Sequence, residues 1–211
     1  MNLTDRFMTH RVDNQPPPLR DYNAYATDLP LREALVRESG DWAHDALSAY
    51  GAITGGEMIA LGFAANEQRP RLRTHDRYGH RIDEVEFHPA YHRVMELGIA
   101  HGVHAYAWRH ADRTGAHVAR AALAYLHGQA EAGSSCPLTM THAAMPVIAR
   151  APGLAAQWLP QLQSLHYDPR VLPAAQKRGC TIGMGMTEKQ GGSDVRANST
   201  QALLQNDGSY A

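Results

Sequence analysis

Residues 184–194, Met-Gly-Met-Thr-Glu-Lys-Gln-Gly-Gly-Ser-Asp, bring together the side chains with the clearest chemical use in this sequence. Thr187 and Ser193 offer hydroxyls, Gly191 and Gly192 remove the side chains that keep a ligand off the backbone, and amides at a strand end donate. Such a set suits a planar, hydrogen-bonding heterocycle. Glu188 and Asp194 are placed to order the loop. An ordinary strand running into a Gly-rich turn uses the same residue types, so residue chemistry leaves both readings open. A dinucleotide fingerprint is excluded: in Gly183-x-Gly185 the third glycine position is Glu188, and no apolar helix follows.

The other reactive residue types are weaker signals. His88 and His92 have the i, i+4 spacing of helical metal ligands, and His101 and His104 the i, i+3 spacing. No HExxH base and no third ligand accompany them, so they are read as surface or boundary histidines and no metal site is assigned. His142 lies beside Thr139 and Thr141 in an apolar segment, where a satisfied core histidine is the competing reading. Cys136 precedes a proline and has no orienting partner; a small buried residue explains it. The basic pieces at 69–73 and 176–179 alternate with neutral residues and read as solvated faces.

These residues must be held by a scaffold whose elements show in the pattern. Pro16, Pro17 and Pro18 make the first thirty residues an extended arm, with Tyr22 and Tyr25 available to dock it. Leu31, Ala34 and Leu35 mark a helix entered at Pro30 and stopped by Gly40. Asp41 is expected to cap a second helix through Trp42, Leu47 and Tyr50, and Thr54 with Glu57 to form a capping box for a third. The charged stretch 66–88 reads as a hairpin around Tyr78-Gly79. A long helix is expected from Pro89 to about Arg113, and another after Gly115 with Val118, Ala121, Ala122, Tyr125, Leu126 and Ala130 buried. Segments 135–151 and 154–163 follow as helices separated by Pro152-Gly153. From Gly179 the pattern changes to a strand through Thr187, a second strand over 197–205, and a hairpin turn at Asn206-Asp207-Gly208-Ser209. A hairpin with only Tyr210 and Ala211 after its turn points to a fragment whose sheet continues beyond residue 211. The expected organisation is an arm at 1–30, a helical domain at 31–178 and the start of a β domain at 179–211, a mainly α fold.

Composition supports a globular domain and limits its partners. The 211 residues are 44% hydrophobic and 19% charged, near the globular average. Twenty Lys and Arg against 21 Asp and Glu leave a net charge of −1, without the basic excess of a nucleic-acid backbone binder. Two cysteines and a polar, proline-rich N-terminus point to a reducing compartment without a secretory signal, and the expected location is the cytoplasm.

The Thr187-Glu188 pair followed in register by Gly192-Ser193-Asp194 resembles the flavin-contacting signature of the acyl-CoA dehydrogenases. Lys189-Gln190 replaces the usual proline-containing insert. With VDNQPPPL, DEVEFHPAYH and EAGSSCPLTMTHAA, that departure resembles the adaptive-response, AidB-like branch of the family. The resemblance covers essentially the whole chain. It implies an FAD-dependent fold with an N-terminal helical domain, a central β domain and a C-terminal helical bundle, usually a homotetramer. It also implies that Met184, Gly185, Met186 and Thr187 line the flavin, with Gly192 and Ser193 beside it or the thioester carrier. Thr139, Met140, Thr141 and His142 would lie near the substrate cavity. In the family a carboxylate removes the α-proton of an acyl-CoA while hydride leaves the β-carbon; that base belongs to the C-terminal domain, and no catalytic residue is assigned here. The branch is also associated with DNA binding and protection from alkylation through a basic C-terminal region. Two functions are thus implied, acyl-CoA dehydrogenation and DNA protection with little turnover.

Overall fold

A computed structural model describes residues 9–10 and 13–211, and the architecture is mainly helical. The helices are α1 (Leu29–Arg37), α2 (His44–Thr54), α3 (Glu57–Glu67), α4 (Pro89–Ala100), α5 (Tyr106–Arg109), α6 (Ala116–Ala130), α7 (Ser135–Ile148) and α8 (Pro152–Leu162). Strands β1 (Arg71–His75) and β2 (Arg81–Glu86) form an antiparallel hairpin between α3 and α4.

The arm docks as its aromatics suggest. Tyr25 is buried, and the amides of Tyr22 and Ala24 donate to the carbonyls of Gly55 (3.2 Å) and Gly51 (2.9 Å). α1 begins where Asp28 accepts from the Leu31 amide at 3.0 Å, a cap that satisfies an otherwise orphaned donor. Two expected caps do not form. Asp41 opens a 3-10 turn, Asp41–Ala43, ahead of α2, and α3 is preceded by Gly56, which offers no side-chain cap. Thr54 lies inside α2, its hydroxyl turned back to the Gly51 carbonyl, so it is not free to cap α3.

The hairpin pairs Arg71 with Glu86, Leu72 with Val85 and Arg73 with Glu84, so opposite charges face one another across the strands. Asp76 holds its turn by accepting from the amides of Tyr78 (2.8 Å) and His80 (3.0 Å).

The expected 89–113 helix is two elements. α4 ends where Gly102 takes φ +73°; its amide donates to Ile99 and that of Val103 to Gly98, a left-handed stop that side chains with a Cβ rarely adopt. This stop lets α5 turn and pack on α6. In α6 the buried stripe is Ala116, Ala119, Ala122, Leu123, Leu126 and His127; of the residues expected inside, Ala121 and Tyr125 are exposed and Val118 and Ala130 only half-buried.

The main core joins α1, α2, α4, α6 and α7 through Leu35, Leu47, Tyr50, Met95, Leu123, Leu126 and Leu138. A smaller cluster of Ala105, Met145 and Leu162 is covered by Trp108, Trp158, Cys180 and Ile182. That cluster ties the segment after residue 179 to the helical body.

The two strands expected after Gly179 form no extended ladder. Among the described residues no segment runs beside 179–187, so its backbone has no strand to pair with. The hairpin turn does form: Gln205 donates to Ser209 at 2.8 Å, and Leu204 and Tyr210 make an isolated bridge. No helix of the described residues is long and apolar enough to cross a membrane.

Candidate functional site

The loop at 184–194 is built around one carboxylate. Glu188 accepts from the amides of Ser199 and Thr200, each at 2.9 Å, from the Ser199 hydroxyl and from the Gln190 amide. Hydrogen bonds from Thr200 and Ser199 hold its carboxyl down at about 2. The backbones of Glu188 and Gly191 bond each other in both directions. Asp194 accepts from the Arg196 amide and caps the 3-10 turn Val195–Ala197. Both acids therefore order the loop, as their positions suggest.

Gly191 has a different use from the one expected. A Cβ there would lie 2.1 Å from the Asn198 side-chain oxygen, so its missing side chain makes room for Asn198, which in turn donates to the Met186 carbonyl at 2.5 Å. Gly192 is open, with only the Thr187 methyl 3.6 Å from its would-be Cβ.

Upstream, the segment is fastened to α7 and α8. The Ile182 amide donates to Thr141 Oγ1 at 3.0 Å, and the Cys180 amide to the Gln161 carbonyl at 3.2 Å. Asp168 accepts two bonds from the Arg170 guanidinium and one from the Arg178 amide, and the guanidinium holds its carboxyl far below the usual range. Cys180 and Ile182 turn inward while Thr181 and Gly183 are exposed, a period-two alternation. Met184 and Met186 continue the inward parity past the edge of the body, where they are 47% and 57% exposed. Thr187 and Ser193 are exposed beside them.

The second group sits on α7. Thr141 is fully buried and its hydroxyl is committed, donating to Pro137 and accepting from Ile182. Met140 is half-buried, and Thr139 is exposed and accepts from Arg120 Nη2 at 3.3 Å. The His142 ring stacks on Trp108 with centroids 5.1 Å apart, and the Trp108 indole donates to the His142 carbonyl. His117 meets both rings edge-on. His142 Nδ1 donates to the His104 carbonyl at 3.2 Å; burial and then the Arg120 charge push its pKa down to about 4. Arg120, Trp108 and His117 carried no motif: they become neighbours of His142 only through the fold of α5 and α6 onto α7.

A buried polar chain behind α7 also escaped notice. His127 is paired with Tyr50 OH at 2.6 Å and with Ser134 Oγ at 2.7 Å, and burial lowers its pKa to about 4. Burial opposes ionisation of Glu131, yet the hydrogen bonds it accepts from Ser134 and Gly133 outweigh this and hold the carboxyl below its usual range. The interior positions of Tyr50 on α2 and His127 on α6 were the available signal.

The histidines at metal-like spacing have other partners. His88 caps α4, His92 pairs with Tyr167 OH at 2.8 Å, and His101 stacks on Tyr50. Among the described residues no group of three His, Cys, Asp or Glu is arranged around a metal position. A cleft of about 510 Å³ lies between β2, α4 and residues 166–181, walled by Phe87, Tyr91 and Tyr167. None of the residues expected to line the cofactor or substrate borders it.

Solved structures share this fold. The apo form of Bd2924 superposes with a TM-score of 0.76 at 26% identity, over 90% of this chain and 37% of that one. Caenorhabditis elegans ACDH-11, in complex with C11-CoA, gives a TM-score of 0.74 at 19% identity over 100% of this chain and 41% of that one. The fold is thus the N-terminal helical part of the acyl-CoA dehydrogenase architecture, with the opening of its β domain. Residues 14–169 match the model of the adaptive response protein AidB N-terminal domain, and the chain belongs to that family. It is 48% identical over 206 residues to AidB of Escherichia coli (strain K12), whose name assigns it provisionally to the acyl-CoA dehydrogenases. That match covers 97% of this chain and 38% of the relative, so the chain spans well under half of the relative's length.

Proposed function

We propose that this chain supplies the helical domain (31–178) and the first part of the β domain (179–211) of a flavin-dependent acyl-CoA dehydrogenase-like protein. Its reaction would be the α,β-dehydrogenation of a short or branched acyl-CoA. The observation that carries this reading is the apolar shelf of Met184 and Met186, uncovered although both ends of its segment are fixed, by Thr141 and by Glu188. Built Cβ atoms at Gly183 and Gly185 would meet nothing within 4 Å, so a flat group has room against the backbone. The residues present therefore fit FAD. Met184, Gly185 and Met186 would lie along its ring, Thr187 would donate to its polar edge, and Gly192 and Ser193 would close the loop beside it.

When bound, the flavin supplies the hydride acceptor. This chain's part is to hold that acceptor and exclude water from one face; donors at the polar edge would stabilise negative charge arriving there. Thr139, Met140 and His142 would face the acyl group, with Thr141 fixing their helix to the flavin segment. No proton acceptor for the substrate's α-carbon is assigned within these residues. The family's adaptive-response description favours one further reading, a flavoprotein that binds DNA and protects it from alkylation with little turnover.

The test is the visible spectrum of the complete protein before and after anaerobic addition of a short branched acyl-CoA. A flavin band that bleaches supports dehydrogenation. A band that stays oxidised, together with salt-sensitive duplex binding, supports the DNA reading. A complete protein that binds no flavin overturns both.

A further inference from the structure

We infer that the corner formed by Arg120, Thr139 and His142 is an anion subsite, and that the acyl group received there carries a carboxylate. This rests on the acyl-thioester reading above for the identity of the ligand, but not for the existence of the subsite.

Arg120 projects from α6 and is half-buried. Its Nε donates to the Val103 carbonyl at 2.9 Å and its Nη2 to Thr139 Oγ1 at 3.3 Å. A guanidinium has five N–H donors, so these two bonds fix its plane and leave donors over. Among the described residues no carboxylate lies within ion-pair distance of it. A half-buried guanidinium that is held in place, has donors to spare and lacks an acidic partner is suited to accept an anion.

Its surroundings are rings and donors rather than acids. His117 lies one turn earlier on α6, and His142 lies on α7 at i+3 from Thr139, so Thr139 and His142 share a helix face. His142 Nδ1 is spent on the His104 carbonyl, which leaves Nε2 to become a donor once an anion favours its protonation. Behind it, His104 is 1% exposed, its Nε2 donates to the Ser164 carbonyl and its Nδ1 has no partner among the described residues. The corner thus offers an oriented guanidinium, a hydroxyl and a titratable ring, and among the described residues no carboxylate is paired with the guanidinium. A carboxylate matches the guanidinium's paired donors. An acyl group ending in methyl would leave them unpaired.

The subsite itself is tested on this chain, at low ionic strength, by following the His117 and His142 ring resonances during titration with glutarate and, separately, with its uncharged diamide. Glutarate should shift both rings and raise the His142 pKa, and the diamide should do neither. Arg120→Gln should weaken the glutarate response about tenfold or more. Because Arg120 also holds Val103, Thr139→Glu is the companion variant: it sits at an exposed helix position, supplies a carboxylate from the protein itself and should abolish the response. Silence toward glutarate in the unmodified chain, or an equal response to the diamide, overturns the subsite. In the complete flavin-loaded protein, glutaryl-CoA should bleach the flavin faster than butyryl-CoA, and bleaching by butyryl-CoA alone overturns the carboxylate preference. If neither thioester bleaches it while glutarate still shifts the rings, the dehydrogenase reading falls and the anion subsite stands.

Discussion

Two regions of this chain differ in whether they enclose an apolar core, although both also carry exposed apolar side chains. In the helical body Leu47, Tyr50, Leu126 and Leu138 are fully buried, and even polar His127 and Ser134 are sealed and paired. In residues 184–211 Met184, Met186, Leu203, Leu204 and Tyr210 are all strongly exposed, although Glu188 and Asp194 give their loop a defined path. A segment that is ordered but not covered leaves apolar surface open to contact, whereas the buried side chains of the body hold the fold together.

The sharpest way to break that contrast is truncation of one apolar side chain in each region. Leu126→Ala empties a fully buried position and should cost about 2–5 kcal/mol, read as a lower urea midpoint. Met186→Ala removes an exposed side chain and should change stability by less than about 0.5 kcal/mol. In the complete protein the second variant should instead weaken flavin retention. Equal losses of stability from the two would end the distinction.

Acid should separate the regions next. His127 and His104 are neutral in the fold because burial lowers their pKa from 6.5 to about 4. Between those values the unfolded chain binds more protons than the folded one, so stability is full above about pH 6.5 and falls as pH drops toward 4. Urea midpoints at pH 7, 6 and 5 should decline in that order. Glu188, held at about 2, remains ionised throughout, so the loop's hydrogen bonds should outlast the body's loss of stability. Tyr50→Phe addresses the same network without changing charge: it deprives His127 of its partner at 2.6 Å and should cost about 1–3 kcal/mol, with a reduced melting temperature as the readout.

The sequence was most informative where local rules decide the structure. Alternating charges around Tyr78-Gly79 pointed to the hairpin, and Pro30 and Pro89 marked true helix starts, whereas Pro152, read as a break, is itself the first residue of α8. Errors came where tertiary context decides. α6 is rich in alanine, so its apolar arc is wide and two faces compete; contact with α2 and α5 selected the one carrying Ala119, Leu123 and His127 and left Tyr125 outside. Gly102 ended α4 although apolar residues continue in helical register to Ala107, because one left-handed glycine outweighs a few favourable residues. The apolar run at 179–187 resembled a strand, but a ladder needs a neighbour that local pattern cannot supply. At the candidate site, the loop acids were legible because Glu188 and Asp194 act within a dozen residues of themselves. Arg120 and Thr139 are nineteen positions apart on different helices, and only the fold makes them partners.

The join between the two regions offers smaller effects. Thr141→Val keeps the shape of a buried side chain and deletes the acceptor for the Ile182 amide. About 1 kcal/mol of local stability should be lost, seen as roughly fivefold faster hydrogen exchange at Ile182 with a nearly unchanged global melt. Exchange at Ile182 that is no faster than before would mean that the Cys180 and Ile182 side chains, packed near Trp108 and Leu162, hold the segment without that bond.

Glu188→Gln should have the smallest global effect because the loop it gathers is largely exposed. The amide keeps one acceptor oxygen where the carboxylate had two, and Ser199 and Thr200 use both. One of their amides must therefore lose its partner. Those two amides should exchange faster while the melting temperature stays the same, and in the complete protein flavin should dissociate more readily because Thr187 is no longer held in place. If their exchange and the flavin affinity are both unchanged, the 194–200 turn and Asn198 are sufficient to fix the loop, and its order belongs to the backbone rather than to the carboxylate.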